Sequence, residues 1–207
     1  MGRLEAYPTS MQTPAEIDAL LRLVDREVWI VTAAAGGKRG GLTATWMAQV
    51  SIDRERPVIL AGLAPNHFTT ELVEEGQAFV AHLLAESQAE LAWNFAKDSG
   101  RKRDKLAELA TIQSSAHCPA LKDCLAWFDC RVFARYDAGD RLFYWADVIA
   151  AEKRGSGSPL REQAFIRSLT DEQRKTLVSQ READVQIQHS LAEQWRAKCG
   201  KSGSDRV

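Results

Sequence analysis

No stretch of 18 consecutive apolar residues, the least that a membrane-spanning helix needs, occurs anywhere in the chain. The first residues, MGRLEAYPTS, lack the charged start and apolar run of a secretory leader. Ala6 also stands where a myristoylation signal needs Ser or Thr. These absences predict a cytoplasmic protein with no membrane attachment. Neither sign of charge is in excess: 27 Lys plus Arg face 28 Asp plus Glu, and a net charge of −1 offers no global attraction for nucleic acid or anionic lipid. Any partner has to be recognised locally.

Cysteine and histidine are equally sparse, four of each. Cys118, Cys124 and Cys130 are spaced by six with Cys199 far away, which fits neither a zinc pattern nor a disulfide framework, so reduced, buried thiols are expected. His67, His82, His117 and His189 are dispersed over four segments without an H-E-x-x-H pair, and no metal site is expected. The dinucleotide fingerprint G-x-G-x-x-G is missing, since neither GGKRGG nor GSGSPL supplies its glycines at the right spacing. GKS at 200–202 lacks the upstream glycine of a phosphate-binding loop, and no G-x-S-x-G elbow exists. A Rossmann domain, a nucleotide hydrolase and a serine hydrolase are thereby set aside.

What the chain does have is 45% hydrophobic residues over 207 positions, enough for one sizeable core with an appendage. TPAEIDALLRLVD opens with Thr13 as N-cap, Pro14 at the first helical position and Glu16 closing a capping box. Ile17, Leu20, Leu21 and Val24 follow at helical spacing, which predicts an amphipathic helix. VWIVTAA, then GGKRGG, then GLTATWMAQVS read as a hairpin, RPVILAGLA as a third strand and QAFVAHLL as a fourth. Between those last two, HFTTELVEEG reads as a loop entering a short helix that stops at Gly76, and after QAFVAHLL, Ser87 and Glu90 form a capping box for a second helix. Two long β-rich runs about DAGD form a second hairpin. KRGSGSPL reads as a linker, and Pro159–Leu169 and Thr170–Lys198 read as helices, the latter with a Thr170 and Gln173 capping box. Six strands without βαβ alternation favour an antiparallel barrel. The predicted division is a barrel domain over 1–153, with its core at about 25–152, and a helical C-terminal extension with a polar tail over 154–207.

GLTATWMAQVS is an unusual strand because hydroxyl side chains alternate with bulky apolar ones. Taken with RPVILAGLAPNHFTTELVEEGQAFVAHLL, SQAELAWNFA and the second hairpin, in that order, it resembles the flavin reductase-like family over about residues 25–152. The resemblance implies a mainly β fold with helices, a six-stranded antiparallel split β-barrel of Greek-key order that binds FMN, with FAD as the alternative flavin. By resemblance, Thr43, Ala44, Thr45 and Trp46 border the isoalloxazine ring and Gln49, Val50 and Ser51 complete the pocket edge. A flavin ring presents carbonyls and an imide N–H at one end and an apolar surface at the other, so a strand of mixed character suits it.

The same resemblance assigns PNHFTTELV to the phosphate-binding loop, with Asn66, His67 and Thr69 carried over and Thr70 and the helix-start Glu71 beside them. His82 stands where the family has Asn, either as a donor to a flavin carbonyl or as a satisfied core histidine. Arg141 stands where the family often has a histidine that seats the nicotinamide. The implied activity is hydride transfer from NADH or NADPH to flavin in a homodimer, with a flavin-dependent monooxygenase among the acceptors. A flavin carrier on the same barrel without efficient nucleotide turnover is the alternative, and a protein-interaction role for the C-terminal helices is a second one.

Overall fold

The computed structural model describes residues 13–202. Helix α1 (Pro14–Leu21) leads into the hairpin β1 (Trp29–Ala35) and β2 (Lys38–Ala44), followed by β3 (Met47–Gln49), β4 (Val58–Leu63), α2 (Phe68–Gly76) and β5 (Ala78–Leu83). Helix α3 (Ala89–Ala96), a small ribbon of β6 (Thr111–Gln113) and β7 (Pro119–Leu121), and the long hairpin β8 (Ala126–Asp137) and β9 (Leu142–Lys153) come next. Helices α4 (Glu162–Ser168) and α5 (Asp171–Ser202) follow.

The main sheet is antiparallel throughout and has seven strands in the order β2-β1-β5-β8-β9-β4-β3. Its two edge strands, β2 and β3, are joined by Thr45 and Trp46 alone. Three Cα steps reach about 11 Å, whereas a flat seven-stranded sheet would be about 29 Å wide. The sheet must therefore curl until its edges meet. This closure accounts for the one strand beyond the six expected: GLTATWMAQVS leaves one edge of the sheet at Ala44 and enters the other at Met47. Register shifts between Asp129 and Cys130 and between Val132 and Ala134 add coil to the β8–β9 hairpin.

The alternation of side chains along each strand divides the core in two. Val31, Ala33, Leu42, Ala61, Phe79, Tyr144 and Ala146, from five strands, fill the barrel, and Leu72 and Val73 of α2 join the same cluster. The opposite faces of β1 and β5 present Ile30, Ala78 and Val80 to a second cluster that includes Phe95 of α3, Leu121 of β7, Leu160, and Phe165 of α4. Burial on both faces is why VWIVTAA and AFVAHLL are nearly continuous apolar runs. Gly36 and Gly37, at φ of 55° and 74°, make the two-residue turn of the first hairpin, a conformation L side chains rarely adopt.

The local expectations do not all hold. Helix α1 has the predicted Thr13–Glu16 capping box, yet it buries no residue, and Ile17, Leu20, Leu21 and Val24 are 46%, 51%, 63% and 57% exposed. The second helix does not use Ser87 as a cap. A 3-10 turn at Glu86–Gln88 precedes α3, and Gln88 Oε1 accepts the Ala85 N–H at 2.9 Å. The Thr170–Gln173 box forms as expected, at 2.8 and 3.2 Å. The segment KRGSGSPL is anchored to the barrel, because its last residue Leu160, and Phe165 and Leu169 beyond it, enter the same core as Val28 and Leu84. Backbone bridges Glu27–Arg161 and Ala85–Pro159 tie that segment down further. Among the described residues no helix is long and apolar enough to cross a membrane.

Candidate functional site

The strand crossing at Thr45–Trp46 opens onto a cleft of about 740 Å³, within the range of small-molecule sites. One wall is the end of β2 and the crossing itself, with Thr43, Thr45 and Trp46. A second is the start of α2, with Asn66, His67 and Thr69, and a third is the β8–β9 tip, with Asp140 and Arg141. The loop after α3 adds Arg101, Lys102 and Lys105, and α5 covers the cleft with Arg181, Asp184 and Gln188.

Seven of the residues expected at a flavin site thus meet in one place: Thr43, Thr45, Trp46, Asn66, His67, Thr69 and Arg141. The strand breaks at the crossing, so Trp46 joins the two threonines on the cleft side and does not alternate away from them. The Thr43 hydroxyl is engaged, donating to the Ala92 carbonyl at 2.8 Å and fixing α3 against β2. Thr45 has no hydrogen-bond partner for its hydroxyl among the described residues and is the one free to meet a ligand.

Five expected residues do not reach the cleft. Ala44 points into the barrel, as alternation between Thr43 and Thr45 requires. Gln49 and Val50 lie past the crossing with outward-facing, exposed side chains, and Ser51 accompanies them, its carbonyl accepting from Gln49 Nε2 at 2.9 Å. His82 is a core histidine. Its Nδ1 lies 3.0 Å from the Ile30 carbonyl and its Nε2 accepts the Leu121 N–H at 3.0 Å, so the proton sits on Nδ1 and no nitrogen is left for a flavin carbonyl. Burial lowers its pKa from 6.5 to about 4, with the Ile30 bond opposing, and the ring is neutral at pH 7.

The anion-accepting character is concentrated at the start of α2. An α-helix opens with amides that have no partner inside the helix, and His67, in extended conformation at the N-cap, makes no side-chain bond to them. Glu71 does not spoil this, because Arg101 pairs with its carboxylate and donates to the Asn66 carbonyl at 3.2 Å. The Thr70 hydroxyl is spent on the Ala64 carbonyl at 2.8 Å and holds the loop in shape. Arg141 stacks on Trp46, 4.6 Å from the ring centroid, and donates to Gln188 Oε1 at 2.6 Å. Lys105 is almost fully buried and donates to the Phe95 carbonyl at 2.6 Å. Burial lowers its pKa to about 8, with the neighbouring Arg103 charge adding to the shift.

Sequence reasoning missed Arg101, Lys102 and Lys105, although the basic run RKRDK directly after a helix is a signal for them. It also missed Asp184 and Gln188, which carry no motif. Asp184 Oδ1 accepts from Asn66 Nδ2 at 2.7 Å and its Oδ2 lies 3.1 Å from His67 Nε2. The His67 bond holds the Asp184 carboxyl below the ordinary carboxylate value; Asn66 and Arg141 act in the same direction, and burial opposes. Cys118, Cys124 and Cys130 are buried, and burial pushes all three thiols up, Cys124 to about 11, so they stay protonated and unreactive. Among the described residues no group of His, Cys, Asp and Glu could hold a metal.

A curled antiparallel barrel whose crossing strand faces a cleft lined by a helix start and by side chains of both charges defines the class of the protein. The flavin reductase like domain model matches residues 21–165, and the chain belongs to that family. The reductase component of a 4-nitrophenol 4-monooxygenase/4-nitrocatechol 2-monooxygenase from Rhodococcus opacus is 34% identical over 133 residues, which is 64% of this chain and 68% of that one. A putative diflavin flavoprotein of Nostoc sp. is 31% identical over 120 residues, 58% of this chain but 21% of the relative, so the chain spans about a fifth of that protein's length. Among solved structures, a putative oxidoreductase from Sinorhizobium meliloti superposes with a TM-score of 0.63 at 26% identity, covering 73% of this chain and 51% of that one. The flavin reductase component of a bacterial two-component tryptophan halogenase shares the fold, with a TM-score of 0.63 at 21% identity over 74% of this chain and 95% of that one.

Proposed function

We propose that the cleft binds a flavin, FMN in the first place, and that the protein passes hydride to it from NADH or NADPH. The observation that carries this reading is the conjunction, in a flavin reductase-like chain, of an aromatic and hydroxyl-bearing strand crossing with a helix start flanked by Arg101 and Arg141. The residues present fit such a group. Trp46, partly exposed with Arg141 stacked on it, offers aromatic surface, Thr45 a free hydroxyl, and Asn66, Thr69 and the α2 amides a seat for phosphate. A bound flavin supplies the two-electron acceptor, which no side chain of the protein can. The chain's own task is to orient two ring systems and exclude water, and neither needs a side-chain acid or base. Arg141, at the hairpin tip, is placed to pair with phosphates of the incoming nucleotide.

FAD fits the same reading with its ring in the same place. The relative from Rhodococcus opacus, a reductase component of a monooxygenase, supports a flavin-dependent monooxygenase as the acceptor here. The barrel over 1–153 would hold the cofactor and the extension over 154–207 would cover it. A second reading, a flavin carrier with little nucleotide turnover, draws support from Arg141 being engaged by both Trp46 and Gln188.

Thr45→Val keeps the β-branched shape and removes the hydroxyl. FMN affinity is expected to fall about two- to tenfold, the worth of one neutral hydrogen bond, with the unfolding midpoint unchanged. Fluorescence titration of both proteins with FMN tests this, and equal affinities would put Thr45 away from the ring. A homodimer is part of the proposal, because Val50, Ile52, Phe133 and Ile149 are exposed apolar side chains on or near the sheet that a second copy would cover. Sedimentation should give twice the chain mass at micromolar concentration, and a monomer mass there would contradict it.

A further inference from the structure

The helix α5 does more than roof the cleft: it inserts a carboxylate where the flavin reading requires a phosphate. Asn66 and His67 open the anion-accepting turn of α2, and both are bonded to Asp184, at 2.7 and 3.1 Å. One turn further along α5, Gln188 accepts from Arg141 and donates from its Nε2 to Asn66 Oδ1 at 3.4 Å. The five residues of this network, Asn66, His67, Arg141, Asp184 and Gln188, come from three separate parts of the fold, and each of them lines the same cleft. An aspartate that makes these bonds satisfies donors that a phosphomonoester would otherwise use, since both are oxyanions of similar reach. Its charge also opposes a second anion at the same donors.

We propose that Asp184 is a built-in competitor for the flavin phosphate, so that α5 sets both the affinity for phosphorylated flavin and its preference over unphosphorylated flavin. This rests on the flavin reading of the cleft. In the free protein Asp184 holds Asn66 and His67; on binding, the phosphate displaces the carboxylate, and α5 gives up that contact while its anchor at the hairpin tip persists. That anchor is independent of charge. Gly139, at φ 84°, lets the tip approach so closely that an added Cβ would lie 2.6 Å from the Leu191 carbonyl oxygen, and Tyr136 meets Trp195 edge-on with centroids 6.4 Å apart. The helix can thus release one contact without leaving the barrel.

The test compares FMN with riboflavin, which has the same ring and no phosphate, on the full chain and on Asp184→Asn and Asp184→Ala. Asn keeps the shape without the charge, and Ala removes the bonds and favours the helix, so a folding defect in one does not decide the matter. FMN affinity is expected to rise about tenfold or more in both variants, the loss of one charge-assisted competing contact, while riboflavin affinity moves less than twofold. A parent that binds FMN weakly and variants that bind it tightly would support the proposal most strongly. Equal tightening for both flavins would reduce α5 to a steric cover and overturn the role of the charge. Unchanged or weakened FMN binding in both variants would overturn it as well, and in the weakened case would make Asp184 part of the seat. If parent and variants bind neither flavin, the reading of the cleft itself fails, a result distinct from all the others.

Discussion

Replacing His82 by leucine is expected to cost on the order of 3 kcal/mol of folding stability at pH 7 and close to nothing at pH 4. At neutral pH the substitution leaves the Ile30 carbonyl and the Leu121 N–H, both buried, without their imidazole partner, at about 1–3 kcal/mol each, partly offset by the added apolar volume. The pH dependence follows from the depressed pKa of the folded state. Between the ordinary value of 6.5 and the folded value of about 4, the unfolded chain binds a proton at His82 that the native chain refuses. Stability therefore rises with pH across that window: the contribution is complete above 6.5 and is lost as pH falls through 4. The gap of about two and a half units corresponds to roughly 3 kcal/mol. Urea unfolding of parent and variant at pH 7, 5.5 and 4 should show the difference between them shrinking stepwise. A constant difference would mean that His82 titrates as it would in water.

Arg141→Ala is the second large effect. The guanidinium faces the cleft with its side chain 21% exposed, enough burial for a phosphate pair to escape most solvent screening. A hydrogen bond to a charged group is worth about 1.5–3 kcal/mol, and the low end applies because the parent must first break the bond to Gln188. The Michaelis constant for NADH or NADPH is expected to rise about tenfold, with FMN affinity changed less than threefold. Steady-state kinetics at saturating FMN, together with FMN titration, separates the two. Unchanged nucleotide dependence in an active variant would remove Arg141 from nucleotide binding and leave the reductase reading intact.

The barrel was legible from sequence because its strands carry their burial in their residue types. VWIVTAA and AFVAHLL are apolar on both faces because both faces are covered, and glycines mark the first hairpin turn where φ is positive. Less legible was anything set by closure. The crossing at Thr45–Trp46 is invisible to periodicity, since alternation reads straight through it; Gln49, Val50 and Ser51, placed at the pocket edge by family resemblance, lie past it and do not line the cleft. His82 was ambiguous because one side chain suits a ligand and a core equally well, and only its two backbone partners decide between them. The role of α5 could not be read at all. Asp184 and Gln188 are two polar residues in a long charged helix, and only the fold brings them 118 and 122 positions back along the chain to Asn66. The exposed apolar face of α1 shows the reverse failure: a correct cap and a correct pattern do not ensure that a helix finds a core.

The most direct measurement of the central claim is anaerobic mixing of the FMN-loaded protein with NADH and, separately, NADPH, followed by the flavin's visible absorption. A bound flavin that bleaches at a rate saturating with one of the two nucleotides is the predicted result. Bound flavin that keeps its colour at millimolar concentrations of both would contradict the reductase and leave a carrier in its place.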